Sequence, residues 1–309
     1  MKKWTKEQRN DMSNQIALKA RDIDVCMFNI LDGYLDKELL LDCLTFYQNT
    51  DGGFKGGLFI DNYNINSSPY QVYEAFRLLD MVGFDSSCKE EMFESIVNKA
   101  CNYLYNRCDI IDNKWNPNVK SNDNFAHAKV FSYNNENKEL FGYNPTAALI
   151  GYTLLFCKPT KAYYKKALKM LDVCLKDFYS KDVFNRYEAI AYMSLLNSLK
   201  KLNIYNEHYS KMEEKLVNNI INNYSSNYEN VNEIHALECG LYLNDSKLDE
   251  LKNDELDYLL GSIKPFGLWD YSGDWGYNDY PEADSASLKW IGAVTVNNYY
   301  YLKICGRIE

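Results

Sequence analysis

The apolar residues of this chain recur in two helical patterns. In the first, they stand three and four positions apart with charged residues between them, as at Phe93, Ile96, Ala100 and Leu104. That spacing is typical of a helix that buries one face. In the second, exemplified by residues 146–156 with the sequence TAALIGYTLLF, nearly every side of the helix is apolar. Such a helix is normally buried on both sides.

The two patterns alternate along the chain and predict an all-α fold with inner and outer helices. The inner helices are predicted near 12–31, 69–82, 145–157, 185–201, 231–244 and 284–304. The outer helices are predicted near 36–48, 88–107, 160–178, 206–225 and 251–263. Strand-like alternation is nearly absent. The resulting repeat of roughly 40 to 75 residues fits either an open solenoid or a closed toroid, and we expect one domain over residues 1–309.

A long polar segment, residues 108–143, interrupts the helical pattern. It contains many asparagines and has no helical period. It is longer than an ordinary connection between helices, so a surface loop and a lid at the mouth of the fold both remain open.

The stretch that follows the second predicted helix contains two glycine pairs, in Asp51-Gly52-Gly53-Phe54 and Gly56-Gly57. Gln48 precedes them at a predicted helix end. Glycine supplies the positive φ angles of tight turns, and a glutamine can bond to the unpaired groups of a helix terminus. We therefore interpret the motif as structural.

This motif, followed by an inner helix at Ser68-Pro69-Tyr70, resembles the repeat unit of the terpenoid cyclase and protein prenyltransferase superfamily. The resemblance extends to Asn144-Pro145-Thr146-Ala147-Ala148, to the helix alternation, and to a C-terminal unit over residues 267–308. It implies an α-α toroid, an (α/α)6-like barrel of about six helical hairpins, with an isoprenoid or other apolar small molecule in the central cavity.

The acidic motifs of these enzymes are missing. No Asp-x-Asp-Asp motif is present for protonating an alkene, and no Asp-rich cluster for binding a magnesium diphosphate. Asp172-Val173-Cys174 and His235 imitate the zinc ligands of prenyltransferases. However, residues two apart on a helix differ by about 200° in direction, so Asp172 and Cys174 diverge. We predict no metal and no cofactor.

The candidate catalytic residues are polar groups expected on inner helices or at the mouth of the toroid. His235 and Glu238, three positions apart, are predicted to share a helix face as an acid/base pair, and Glu282 is a third candidate. A satisfied core histidine is the competing interpretation of His235. The expected substrate-binding residues lie in an aromatic C-terminal unit and are Trp269, Trp275, Tyr280, Asp284 and Trp290. The same unit also contains Asp274 and Asp279.

Composition narrows the classes of partner. A formal net charge of −9 without a basic run argues against nucleic acid, whose phosphates attract clustered lysines and arginines. No apolar stretch approaches the ~20 residues of a transmembrane helix, and the N-terminus lacks a signal-peptide pattern. We therefore expect a cytoplasmic protein. The nine cysteines lack paired spacing and are predicted to be reduced. A protein partner remains open.

Three functional hypotheses follow. The first is a terpenoid-cyclase-like protein that binds an apolar small molecule and is a divergent cyclase or transferase. The second is a carbohydrate-active (α/α)6-barrel enzyme that uses two carboxylates beside aromatic platforms. The third is a non-enzymatic binding or scaffold protein.

Overall fold

The computed structural model describes residues 3–273, 275–276 and 280–309. These residues form thirteen α-helices and one hairpin of two-residue strands, so the prediction of an all-α fold is confirmed. The helices are α1 (Lys6–Lys19), α2 (Asp22–Asp32), α3 (Leu39–Tyr47), α4 (Pro69–Met81), α5 (Glu91–Asn106), α6 (Asn135–Phe141), α7 (Thr146–Phe156), α8 (Ala162–Ser180), α9 (Arg186–Leu202), α10 (Tyr209–Asn223), α11 (Ala236–Gly240), α12 (Asp249–Gly261) and α13 (Glu282–Ile304). The strands are β1 (Ile110–Ile111) and β2 (Lys114–Trp115). None of the described helices combines the length and hydropathy that a bilayer-spanning segment requires.

The first predicted inner helix, residues 12–31, is wrong as a single element. The chain breaks between α1 and α2 at Ala20 and Arg21, both of which have extended backbone. The break lets the Arg21 guanidinium bond to Asp24 and also donate to the carbonyls of Gly57 and Leu58 at 2.7 and 2.9 Å. These bonds join α2 to the glycine-rich turn.

The predicted inner helix near 231–244 is also wrong in extent, because only the five residues of α11 are helical. The preceding chain pairs with the end of α10 through a bridge between Tyr224 and Ile234. Glu255 of α12 accepts a hydrogen bond from the backbone N–H of Leu237 at 2.9 Å. This bond satisfies one of the free N–H groups at the start of so short a helix.

Helices α7 and α9 form the most buried part of the fold. Every residue of α7 is buried, as its all-round apolar sequence predicts. It packs against α9 on one side and α8 on another, while α4 also contacts it. Helices α5, α8 and α10 bury one apolar stripe each and keep their charged faces in solvent. The two helix types therefore differ in how many of their sides are covered by other parts of the protein.

The two ends of the described chain pack together. Helix α13 contacts both α1 and α2. The backbone N–H of Trp4 donates to the carbonyl of Arg307 at 2.9 Å, and Trp4 and Ile308 form a parallel bridge. Trp4 also packs edge-on against Trp269 with ring centroids 5.3 Å apart. The first and last helices thus share one part of the hydrophobic core.

The glycine motif forms the tight turn that its sequence predicts. Gly52 has a φ of +96°, and a Cβ there would lie 2.4 Å from the carbonyl oxygen of Lys99. The Gln48 side chain donates to the carbonyls of Gly52 and Ile96 at 3.0 Å each. Asp51 accepts from the N–H of Gly53 at 2.9 Å. The turn therefore ties α3 to α5.

The segment over residues 108–143 contains regular secondary structure and is partly buried, so it is not a plain surface loop. It contains α6 and the β1–β2 hairpin, and it buries Trp115, Phe131 and Phe141 in the core. Buried asparagines replace regular secondary structure as hydrogen-bond partners: Asn62 donates to Asn122 at 3.0 Å, and Asn122 donates to the carbonyl of Phe131 at 2.9 Å. These amide contacts explain why a polar sequence can lie inside the fold.

Candidate functional site

Asp61 lies where the loop after the glycine motif meets α13. Its Oδ1 accepts hydrogen bonds from the indole Nε1 of Trp275 at 2.8 Å and of Trp290 at 2.5 Å. Its backbone carbonyl accepts from the N–H of Ala128 at 2.8 Å, so residues 108–143 also hold it in place. The structure thus brings together two predicted ligand-binding tryptophans around an acid that the sequence did not single out.

The carboxyl group of Asp61 is poorly solvated. Burial raises its pKa to about 6, although the N–H donors of Trp290 and Trp275 act in the opposite direction. Indole N–H groups are neutral donors, and both of them bond to the same oxygen. The other oxygen, Oδ2, has no hydrogen-bond partner among the described residues. The pKa rises because burial disfavours the charged carboxylate and no counter-charge among the described residues offsets this effect.

Aromatic rings surround the two indoles. Tyr271 stacks on Trp290 with centroids 5.0 Å apart and planes 10° from parallel, and Phe59 meets Trp290 edge-on at 5.4 Å. Tyr63 lies 5.8 Å from Trp275. Aromatic pairs in these arrangements stabilise one another beyond simple burial. These rings form two groups, one around each tryptophan that bonds to Asp61, and we call them together the aromatic wall.

Three arginine–carboxylate pairs lie on the inner helices and the adjoining turn. In each, two guanidinium nitrogens bond to the two oxygens of one acid, at distances between 2.6 and 2.8 Å. This bidentate geometry is the strong form of an ion pair. The pairs are Arg21–Asp24, Arg77–Glu74 and Arg186–Glu238.

Two of these pairs lie deep in the fold and still keep accessible surface. The side chains of Arg77, Arg186 and Glu238 keep 25, 19 and 29% of their surface accessible. Burial acts to lower the pKa of both guanidiniums, but the Coulombic attraction of Glu74 and Glu238 outweighs it and raises both values. We refer to Arg77–Glu74 and Arg186–Glu238 as the interior ion pairs.

A row of ring contacts leads from Trp290 to Arg186. Successive ring centroids lie 4.8 to 5.7 Å apart along Trp290, Phe59, Tyr70, Phe141 and Tyr187. The Arg186 guanidinium lies 5.5 Å from the centre of the Tyr187 ring. Packed side chains therefore connect the aromatic wall to the Arg186–Glu238 pair, and we treat them as one candidate site.

His235 and Glu238 do not form the predicted pair. His235 precedes α11 with extended backbone, so the two residues do not share a helix face. Nδ1 of His235 lies 3.2 Å from the Ser225 carbonyl and Nε2 lies 2.9 Å from the Asn230 carbonyl. Glu238 bonds to Arg186 instead. The interpretation of His235 as a satisfied core histidine matches its burial and its two contacts.

The other predicted site residues occupy three environments. Trp269 is buried, and its Nε1 donates to the Leu259 carbonyl at 2.9 Å, away from Asp61. Glu282 and Asp284 are exposed in the first turn of α13, where the positive end of the helix dipole stabilises a carboxylate. Tyr280 lies 6.4 Å from Trp275, at the edge of the aromatic wall. Asp274 and Asp279 lie outside the described residues.

Sequence reasoning missed Asp61, Arg77 and Arg186. A signal for Asp61 was present, since it follows the apolar run Leu58-Phe59-Ile60 directly after the second glycine pair. An acid at that place needs either solvent or specific partners. The arginines gave a weaker signal, because a single arginine on a helix is usually a solvated residue.

The prenyltransferase-like residues Asp172 and Cys174 diverge as expected from their helical spacing. Oδ1 of Asp172 accepts from the hydroxyl of Tyr205 at 3.1 Å, whereas Cys174 is completely buried. The described residues contain no group of three or more side chains placed to hold a metal ion. A separate surface cleft of about 440 Å³ runs along α10, with a largely lysine and asparagine lining, and contains none of the predicted site residues.

No protein-family model, curated protein or solved structure matches this chain. Its interior site must therefore be interpreted from its own geometry.

Proposed function

We propose that this protein binds a small, largely apolar molecule, an isoprenoid or a compound of similar shape, in a central cavity of a terpenoid-cyclase-like α-α toroid. The observation that carries the proposal is the interior site itself. Aromatic rings and paired charges from α4, α9, α11 and α13 converge there while keeping accessible surface.

The order of helix contacts supports ring closure. Contacts run from α4 to α7, from α7 to α9 and from α9 to α11. They continue through α12 to α13, which in turn packs on α2 near the chain start. An open solenoid would leave its first and last helices apart, because each repeat contacts only its neighbours. We also propose a single domain over residues 1–309, which predicts that limited proteolysis releases no pair of stable halves.

The ion pairs favour binding over glycoside hydrolysis. A carbohydrate-active enzyme of this architecture requires one protonated and one ionised carboxyl group beside the substrate. Both oxygens of Glu74 and both of Glu238 are bonded to arginine. These acids are therefore poorly placed to exchange protons. Asp61 is not bonded to arginine, and the described residues show no second carboxyl group hydrogen-bonded beside it.

The proposal is tested by the ligands that the protein retains and by those that stabilise it. Mass spectrometry of extracts from natively purified protein should show a retained organic molecule. Geraniol and farnesol should raise the melting temperature, as expected for ligands that bind only the folded state, whereas maltotetraose should not. Stabilisation by the sugar alone would favour the carbohydrate hypothesis and contradict ours.

A variant that blocks the cavity locates the binding site. Asn297 of α13 accepts from Arg77 at 3.0 Å and is partly exposed. Asn297→Phe should abolish the ligand-induced stabilisation. The matched control is Asn10→Phe, at an exposed position of α1, which should keep it. Equal stabilisation of both variants would place the ligand elsewhere.

A further inference from the structure

Asp61 differs from the acids that arginines hold. Asp24, Glu74 and Glu238 each accept two hydrogen bonds from one arginine. Among the described residues, the side chain of Asp61 accepts from two neutral indoles and forms no ion pair. Ionised Asp61 is therefore a negative charge in a poorly solvated place without a counter-charge among those residues, which is costly unless a cation joins it.

The lysine that precedes Trp290 in sequence does not pair with Asp61. The Nζ of Lys289 donates to the Tyr63 hydroxyl at 2.7 Å and lies 4.5 Å from the centre of the Tyr63 ring. Among the described residues, the hydrogen bonds to the Asp61 side chain come from the two indoles and none comes from a lysine or an arginine.

The surroundings of Asp61 suit an organic cation. Oδ2 is the oxygen without a partner among the described residues, so it offers an acceptor to an ammonium N–H. Trp275 and Trp290 fix the other oxygen. Phe59 and Tyr271 pack on the Trp290 ring that bonds to Asp61, and aromatic rings of this kind attract a cation through its charge.

Resting on the function proposed above, we propose that the ligand of this cavity carries a protonated amine, and that Asp61 binds the ammonium group while the aromatic wall holds the apolar part. A metal ion is a poorer occupant, because the described residues provide a single carboxylate where hard cations require several oxygen ligands. An alcohol of the same skeleton would bind Asp61 without neutralising its charge.

The test compares ligands that differ only in charge. Calorimetric titration at pH 7.5 with geranylamine and geraniol should give at least tenfold tighter binding of the amine. Asp61→Asn keeps the size of the side chain and an oxygen for the indoles but removes the charge, and it should abolish this preference. Asp11→Asn, an exposed position on α1, should retain it. Equal affinity of the wild type for both compounds, or a preference that survives in Asp61→Asn, would overturn the proposal.

A second pair of compounds separates this inference from the proposed function. If 2-phenylethylamine binds more tightly than 2-phenylethanol in an Asp61-dependent manner while neither geranyl compound binds, the ammonium site stands and the isoprenoid preference fails. If geraniol binds as tightly as its amine, the cavity stands and the ammonium site fails. Binding of none of the four compounds would overturn both. Melting curves of each variant establish that it is folded.

Discussion

The guanidinium of Arg186 holds the carboxylate of Glu238 through two hydrogen bonds, from Nε to Oε2 at 2.7 Å and from Nη2 to Oε1 at 2.6 Å. This pair joins the first turn of α9 to α11, through two residues that are 52 positions apart in the chain. Glu238 is therefore part of a link between α9 and α11 and does not pair with His235.

Removing one member of this pair should cost stability. Glu238→Gln leaves the Arg186 charge without its partner, and we expect the free energy of unfolding to fall by about 2 kcal/mol, below the 3–5 of a fully buried pair because both side chains retain some exposure. Urea titrations measure the change. Glu250→Gln, exposed on α12, should change it by less than about 0.5 kcal/mol. The double variant Arg186→Met/Glu238→Gln should lose clearly less than the sum of its single variants; simple additivity would show that the pair contributes nothing.

Asp61 should make stability depend on pH. Its pKa rises from the usual 3.8 to about 6 in the folded protein, so the folded state binds a proton more tightly than the unfolded state does. The favourable contribution is fully present below pH 3.8 and is lost as pH rises through 6. Asp61→Asn should therefore equal the wild type near pH 3.5 and exceed it by about 1–3 kcal/mol above pH 6.5. A difference that stays constant across this range would contradict the burial of the carboxyl group.

Trp269 should be a structural residue and not a ligand contact. It is buried against Trp4 and bonds to the Leu259 carbonyl. Trp269→Ala should lower the free energy of unfolding by about 3–5 kcal/mol, the usual range for a buried ring, while the affinity of the folded protein for geranylamine stays within twofold. Trp290→Phe is the comparison, since it removes an indole donor from Asp61 and should weaken that affinity. If Trp269→Ala weakens binding of geranylamine as much as Trp290→Phe does, Trp269 is a ligand contact.

Cys174 should act as a small apolar core residue. It is completely buried, and burial raises its pKa, so the thiol stays neutral and unreactive. Cys174→Ser should cost about 1 kcal/mol or more, because a hydroxyl is harder to desolvate than a thiol. Cys88→Ser, at a partly exposed position, should cost less than about 0.5 kcal/mol. Measured zinc content should be the same in both variants, and a stoichiometric loss of zinc in the first would mean that Cys174 is a ligand.

The helices could be predicted where local pattern alone decides the outcome. Residues 146–156 are apolar on all sides, and α7 is buried on all sides. The ends of α4 and α9 lie within one residue of their predicted positions, where Ser68 and Asn185 cap the first turn. The prediction failed at Arg21 and around α11. In both places a long-range contact accompanies the break: the Arg21 guanidinium donates to the Gly57 and Leu58 carbonyls, and the Glu255 carboxyl group accepts from the Leu237 N–H.

The sequence by itself determined the helical class, the distinction between fully buried and one-sided helices, the tight glycine turn and the concentration of aromatic residues near the C-terminus. Each of these depends on residues close together in the chain, through helical period, capping and backbone freedom. Only the tertiary structure decided that Trp275 and Trp290 meet Asp61, from which they are separated by 214 and 229 residues, and that Glu238 pairs with Arg186. Hydrophobic periodicity specifies which face of a helix is buried, but not which partner it meets. Tertiary packing therefore decides which acids of the site have an arginine partner.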